Sequence, residues 1–182
     1  MSTVQQQSRE DRFTDLAGQV VEPLHRYARR RTDPDTAQDV VADALLVIWR
    51  RLDDVPTDDP LPWCYAVARR CLANTVRSAR RRHRLVVRLA SLPSYDESPG
   101  PGHPGRDAVL DAALRRLPDS DQELLRLWAW EDLAPREIAV VLGISANASS
   151  IRLHRARRRL AALLGKDARP DGQEQVEKRR AP

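Results

Sequence analysis

Phe13, Leu16, Val20, Leu24 and Tyr27 recur at three- and four-residue steps, the spacing of one face of an α-helix. They predict a helix from Phe13 to about Arg31, with Pro23 placed to bend it. A second stripe, Val40, Val41, Ala44, Leu45, Ile48 and Leu52, predicts a helix ending near Leu52. Between the two, "TDPDTAQD" carries helix-start chemistry: Thr32 or Asp33 can cap, and Pro34 suits the first turn. The Asp- and Pro-rich stretch "DDVPTDDPLP" is a loop. A long helix follows, from Trp63 to about Arg88, with Trp63, Val67, Cys71 and Val76 expected to pack.

Periodicity then stops. Ser91 to Arg106, "SLPSYDESPGPGHPGR", is rich in Pro and Gly and reads as a linker. Short helical patterns resume at Ala108 and are broken at "LPDSDQ", "EDLAPRE" and "LGIS". From Gly165 the chain is polar and poor in apolar residues, a composition that favours disorder. The expected organisation is an all-α chain of two small helical domains on a flexible tether. Residues 1–9 are expected to be disordered, 10–88 to form one domain, 89–107 the linker, 108–164 the second domain and 165–182 a disordered tail.

Composition narrows the function. With four Trp, three Tyr and one Phe in 182 residues, the cores must be built from Leu, Val, Ile and Ala. The formal charge of +5 is modest, but the basic residues are nearly all arginine, which suits bidentate contacts to phosphates and guanine edges. Cys64 and Cys71 lie about 10 Å apart along one helix, beyond the reach of a disulfide, and are expected to be buried thiols. There is no Gly-rich phosphate loop and no Cys/His ligand set, and His25, His83, His103 and His154 are scattered. Catalysis, a cofactor and a metal site are therefore not expected. No apolar run suits a membrane span or signal peptide, so a cytoplasmic protein without membrane insertion is expected.

Three features carry candidate chemistry. In "LAPREIAVVLGISANASSIRLHRARRRL", Leu133, Ile138, Val141 and Leu142 form a packing face, and Gly143 permits a tight left-handed turn. Ile144 plugs the gap and Ser145 caps the next helix, which completes a helix-turn-helix. Asn147, Ser150, Ile151, His154 and Arg155 then share the side expected to meet base edges, opposite Leu153, Ala156 and Leu160. Arg152, Arg157, Arg158 and Arg159 flank it and suit phosphates. Ser149 faces the packing, where its hydroxyl needs a backbone acceptor in its own helix.

The second feature is the stretch from Trp63 to Arg88, which has eight arginines and no carboxylate. Arg70, Arg77, Arg81 and Arg84 stack along one side, as a nucleic-acid backbone requires. Trp63 and Tyr65 at its start are placed to stack on exposed bases, although Trp63 also suits the core. The third feature is acidic. Asp35, Asp39 and Asp43 line one helix side beside Leu46 and Trp49, a surface that repels DNA and fits a basic protein partner.

The segments "AQDVVADALLVIWRRL", "WCYAVARRCLANTVRSARRR" and "LRRLPDSDQELLRLWAWEDLAPREIAVVLGISANASSIRLHRARRRL", in this order around a Pro/Gly linker, resemble the extracytoplasmic-function group of sigma-70 family sigma factors. The resemblance spans about Phe13 to Leu164. It implies sigma domain 2 and a helix-turn-helix sigma domain 4 that bind core RNA polymerase and direct it to promoters. It places Asp39, Val40, Asp43 and Leu46 on the clamp helices of the β′ subunit, with a second core contact at the β flap. It places Trp63, Arg70, Asn74, Arg77, Arg80, Arg81 and the loop Asp54–Leu61 at the −10 element. Asn147, Ser150, Ile151, Arg152, His154, Arg155 and Arg158 fall at the −35 element. An anti-sigma factor is implied as regulator. The sequence departs from the family's pattern at Arg70, where Asn is usual, and at Asn74, where Asp is usual. Asn147-Ala148-Ser149 replaces a common Gly-Thr-Val. The alternative reading is a stand-alone helix-turn-helix regulator.

Overall fold

The computed structural model describes residues 3–90 and 108–167, with side chains at 8–82 and 108–165. All the regular elements among these residues are helical, and they form two compact units. The linker segment 91–107 and the tail beyond 167 lie outside the described residues.

The first unit holds α1 (Thr3–Arg29), α2 (Pro34–Arg50) and α3 (Leu61–Ala90). Each packs against the other two. Val20, Leu24 and Tyr27 of α1 and Val40, Ala44 and Ile48 of α2 have no exposed surface, and Leu16 keeps only 8%. The two stripes expected from periodicity are therefore the core. Pro23 lies inside α1.

α1 begins at Thr3, well before the apolar pattern at Phe13, so the stretch expected to be disordered over residues 1–9 is helical from Thr3. The early turns are held by polar contacts from distant parts of the chain. Arg9 donates to Asp53 Oδ2 at 2.9 Å and to the Trp49 carbonyl at 2.7 Å. Its guanidinium also lies 5.2 Å from the centre of the Trp49 ring, against which Phe13 packs edge-on. Arg12 donates to the other Asp53 oxygen at 3.2 Å. These hydrogen bonds, Arg9's first, hold the Asp53 carboxyl below the usual aspartate range.

α2 starts as its sequence requires. Asp33 is the N-cap, its carboxylate accepting from Thr36 N–H at 2.9 Å, and Pro34 opens the first turn. The helix ends at Arg50 and tightens into a 3-10 turn, Leu52–Asp54, so Leu52 is buried but lies past the helix.

In α3 the packing face differs from the expected one. Cys64, Tyr65, Val67 and Ala68 are buried, Trp63 and Cys71 are half-buried, and Val76 is 39% exposed. Beyond Ala68 no described α3 side chain is fully buried, although Cys71, Leu72, Thr75, Ser78 and Ala79 are half-buried. Burial pushes the Cys64 thiol up to about 12 and raises that of Cys71, where the Asp43 charge adds a smaller push. Both are free thiols.

The second unit holds α4 (Ala108–Arg115), α5 (Asp119–Trp130), the greater part of α6 (Pro135–Leu142) and α7 (Ala146–Asp167). α7 packs on α5 and α4, and Leu124, Leu127, Ile138 and Ala156 are essentially fully buried.

Removing the α2 cap is the direct test of how much its local chemistry matters. Asp33→Ala should destabilise the first unit by about 1 kcal/mol in thermal unfolding at neutral pH. Hydrogen bonding, chiefly from the Thr36 backbone, lowers the Asp33 pKa in the folded chain. The cap's stabilisation is thus complete above the ordinary aspartate range and fades as pH falls through the lowered value. The gap between wild type and Asp33→Ala should close on acidification.

Candidate nucleic-acid and protein-docking surfaces

The recognition motif of the second unit is built by local rules. Glu137 Oε2 accepts from Ala134 N–H at 2.6 Å, the carboxylate half of a capping box that opens α6. Gly143 ends α6 at φ +66°, a conformation that disfavours any residue with a Cβ. Ile144 N–H then reaches back to the Ala139 carbonyl at 3.0 Å and Gly143 N–H to Val140 at 3.3 Å, which together close a Schellman turn. Ser145 Oγ accepts from Ala148 N–H at 3.2 Å and caps α7.

On α7, Asn147, Ser150, Ile151, Arg152, His154, Arg155 and Arg158 are all exposed. Leu153 and Ala156 are buried behind them. Exposure of Ile151, at 44%, leaves an apolar side chain among polar ones. Two arginines expected to flank this surface are engaged elsewhere. Arg159 pairs with Asp121 of α5, a carboxylate that is itself buried. Arg157 lies 4.5 Å from the centre of the Trp128 ring, also on α5. Arg152, Arg155 and Arg158 pair with no carboxylate among the described residues, and their three-residue spacing forms a basic row along the helix.

On the first unit, α3 presents Arg70, Asn74, Arg77, Arg80 and Arg81 to solvent. Arg84 lies on the same helix, outside the described side chains. At the helix start the expectations diverge from the structure. Tyr65 is 4% exposed and packs against Tyr27, ring centres 5.3 Å apart, so it is a core residue and not a base-stacking platform. Trp63 is half-buried beneath the guanidinium of Arg51, 5.5 Å from its ring centre. Asp54, in the turn before α3, holds that guanidinium at 2.8 Å. Arg51 escaped the sequence reading because nothing local marks a partner twelve residues away.

α2 carries the acidic surface as expected. Asp35, Asp39 and Asp43 are exposed, and Leu46 is 54% exposed beside them. Val40 is the correction: it has no exposed surface and belongs to the core. Its place one residue after Asp39 turns it inward, so it supports the acidic face without forming part of it.

In the second unit, the α4–α5 turn and the later part of α7 enclose a groove of about 410 Å³. It is lined by Arg116, Leu117, Pro118, Arg159, Ala162 and Leu163.

Comparison with known proteins decides the family. Residues 16–82 match Sigma-70 region 2 and residues 107–160 match Sigma-70 region 4. The RNA polymerase sigma factor CnrH of Cupriavidus metallidurans is 31% identical over 158 residues, 80% of this chain and 82% of the relative. The ECF RNA polymerase sigma factor EcfG of Rhodopseudomonas palustris is 31% identical over 143 residues, 75% and 76% of the two chains.

The chain belongs to the extracytoplasmic-function group of the sigma-70 family.

A solved structure of CnrH in complex with the cytosolic domain of CnrY is similar too, with TM-score 0.55 and 27% identity over 85% of this chain and 88% of that one. The fold is shared with RpoE of Bartonella quintana, solved with the anti-sigma factor NepR, at TM-score 0.59, 23% identity and coverage of 84% and 96%. The region 2 match spans the core of the three-helix unit, and the region 4 match spans the helix-turn-helix. A stand-alone regulator would account for the second and leave the first unexplained. Among the described residues no helix is long and apolar enough to cross a membrane.

One residue of this sigma factor breaks the packing logic. Ser149 is fully buried, and its Oγ has no hydrogen-bond partner, where a backbone acceptor in the same helix was expected. An unpaired buried hydroxyl costs about 1–3 kcal/mol. Ser149→Ala should therefore stabilise the second unit by about 1 kcal/mol in thermal unfolding and leave the DNA preference of α7 unchanged. An altered preference would mean that Ser149 faces outward.

Proposed function

We propose that this sigma factor docks on core RNA polymerase through the acidic side of α2 and engages promoter DNA through α3 and α7. The observation that carries the reading is the separation of charge within one small unit. α2 exposes Asp39, Asp43 and Leu46, while the described part of α3 exposes arginines and no carboxylate. One face repels DNA and the other attracts it. The acidic face suits the clamp helices of the β′ subunit, with Leu46 supplying apolar contact. The groove between the α4–α5 turn and α7, apolar with two arginines at its edge, suits the β flap.

Arg70, Asn74, Arg77, Arg80 and Arg81, with Trp63 at the helix start, serve the −10 element as it opens. Arg70 and Asn74 replace the residues usual in the family, which supports a −10 preference particular to this chain. Asn147, Ser150, Ile151, His154 and Arg155 read the −35 duplex, and Arg152 and Arg158 fix the helix on its phosphates. The protein acts as a specificity subunit, without chemistry of its own, in the cytoplasm. An anti-sigma factor is the proposed regulator, as RpoE of Bartonella quintana was solved with NepR. Residues 10–88 and 108–164 are proposed as the two working domains, joined by 89–107.

The decisive assay is transcription in vitro with core polymerase and a library of genomic promoters. Added sigma factor should initiate at a discrete set, and a folded protein that adds no initiation anywhere would refute the reading. Asp39→Arg with Asp43→Arg should weaken core binding at least tenfold while leaving the fold intact. Salt provides a separate check on α3. If Arg77 and Arg81 neutralise phosphates, replacing both by Ala should flatten the salt dependence of promoter binding, lowering the log–log slope by about 1 to 2. An unchanged slope would mean that the two are merely solvated.

A further inference from the structure

The hydroxyl of Ser150 has an orientation that restricts what it can read. Ser150 is exposed on the outward side of α7, yet its Oγ donates to the Ala146 carbonyl at 3.0 Å. A serine hydroxyl has one proton and two acceptor lone pairs. With the proton turned back into the helix, only lone pairs face outward. In the major groove the complementary groups are the exocyclic amines, N6 of adenine and N4 of cytosine. The acceptors N7 and O6 of guanine and O4 of thymine offer it nothing.

Ile151 distinguishes the two amines. It follows Ser150 directly, is 44% exposed, and brings an apolar surface to the same stretch of groove. An A·T pair presents a thymine methyl beside the adenine amine, whereas a cytosine amine is paired with polar guanine. We infer that Ser150 and Ile151 together select adenine at one position of the −35 element, Ser150 accepting from N6 and Ile151 packing on the neighbouring methyl. The inference rests on the proposed −35 role of α7 and adds a base identity to it. Ser150 makes the contact itself, and no proton transfer accompanies it. The helix bond to Ala146 keeps the hydroxyl in one rotamer before DNA arrives, so the contact needs no reorganisation of the side chain.

The test uses the whole protein with core polymerase. Promoters are first selected from a library randomised across the −35 region. In a selected promoter, each −35 adenine is then replaced in turn by purine, which lacks only the 6-amino group. At one position the loss of that group should weaken wild-type binding about threefold to tenfold, the scale of one hydrogen bond. Ser150→Ala should be insensitive to the same replacement while remaining sensitive at other positions, and Ser150→Thr, which keeps the acceptor, should restore the dependence. Alanine favours helix, so Ser150→Ala should fold. Its thermal unfolding, measured alongside, confirms this.

If Ser150→Ala keeps the wild-type response at every substituted adenine, or if selection repeated with Ser150→Ala relaxes only at a G·C pair, the inference is overturned. A library that yields no −35 enrichment at all defeats the proposed function of α7 first, and the two failures are thereby told apart.

Discussion

The packing of α2 against α3 is the constraint from which the N-terminal surfaces follow. One helix exposes carboxylates and the other arginines, and neither has enough apolar surface to fold alone. Val40, Ala44 and Ile48 on one side, and Cys64, Val67 and Ala68 on the other, are buried in the shared core. That burial fixes the rotation of each helix about its axis. With Val40 turned inward, Asp39 and Asp43 must point out; with Cys64 and Ala68 turned inward, Arg70, Asn74 and Arg77 must point out. Truncating a core residue such as Ile48 would cost about 2–5 kcal/mol and would blur both surfaces at once. The acidic and basic faces, proposed for docking and for nucleic acid, are consequences of a single apolar contact.

Much of this was legible from spacing. The stripes of α1 and α2, the Asp33 cap, the Gly143 turn and the Ser145 cap are local, and local chemistry leaves a local trace. The exposed side of α7 followed from placing Ser145 at the cap and counting forward. What could not be read were choices between distant partners. Arg9 and Asp53 stand 44 residues apart, Arg159 and Asp121 stand 38 apart, and no periodicity links either pair. Tyr65 looked like a platform for bases because it sits beside Trp63. Its burial depends on Tyr27 of α1, which only the assembled bundle brings near. Val76 fell on the expected stripe, but the half-buried positions around it are Thr75, Ser78 and Ala79, and Val76 lies on another side of the helix.

The same distant pairings shape the second unit. A helix as rich in arginine as α7 would attract any duplex, since phosphate contacts carry no sequence information. Asp121 and Trp128 of α5 withdraw Arg159 and Arg157 from that pool. The row left outside, Arg152, Arg155 and Arg158, begins beside Ser150 and Ile151 and runs away from them towards the C-terminal end of the helix. In the proposed −35 role its contacts orient α7 while the early turns meet the bases.

This division matters for discrimination. Each non-specific phosphate contact raises affinity for every sequence equally, and so does nothing to separate promoter from bulk DNA. Asp121 compensates the charge of Arg159, and the Trp128 ring holds the guanidinium of Arg157 by a cation–π contact, so both contribute to the fold instead. If Asn147, Ser150 and Ile151 face the bases as proposed, being short or uncharged they make contacts only when the groove offers the right groups at close range. On the proposed reading, selectivity in α7 depends as much on which arginines are kept away from DNA as on which residues reach it.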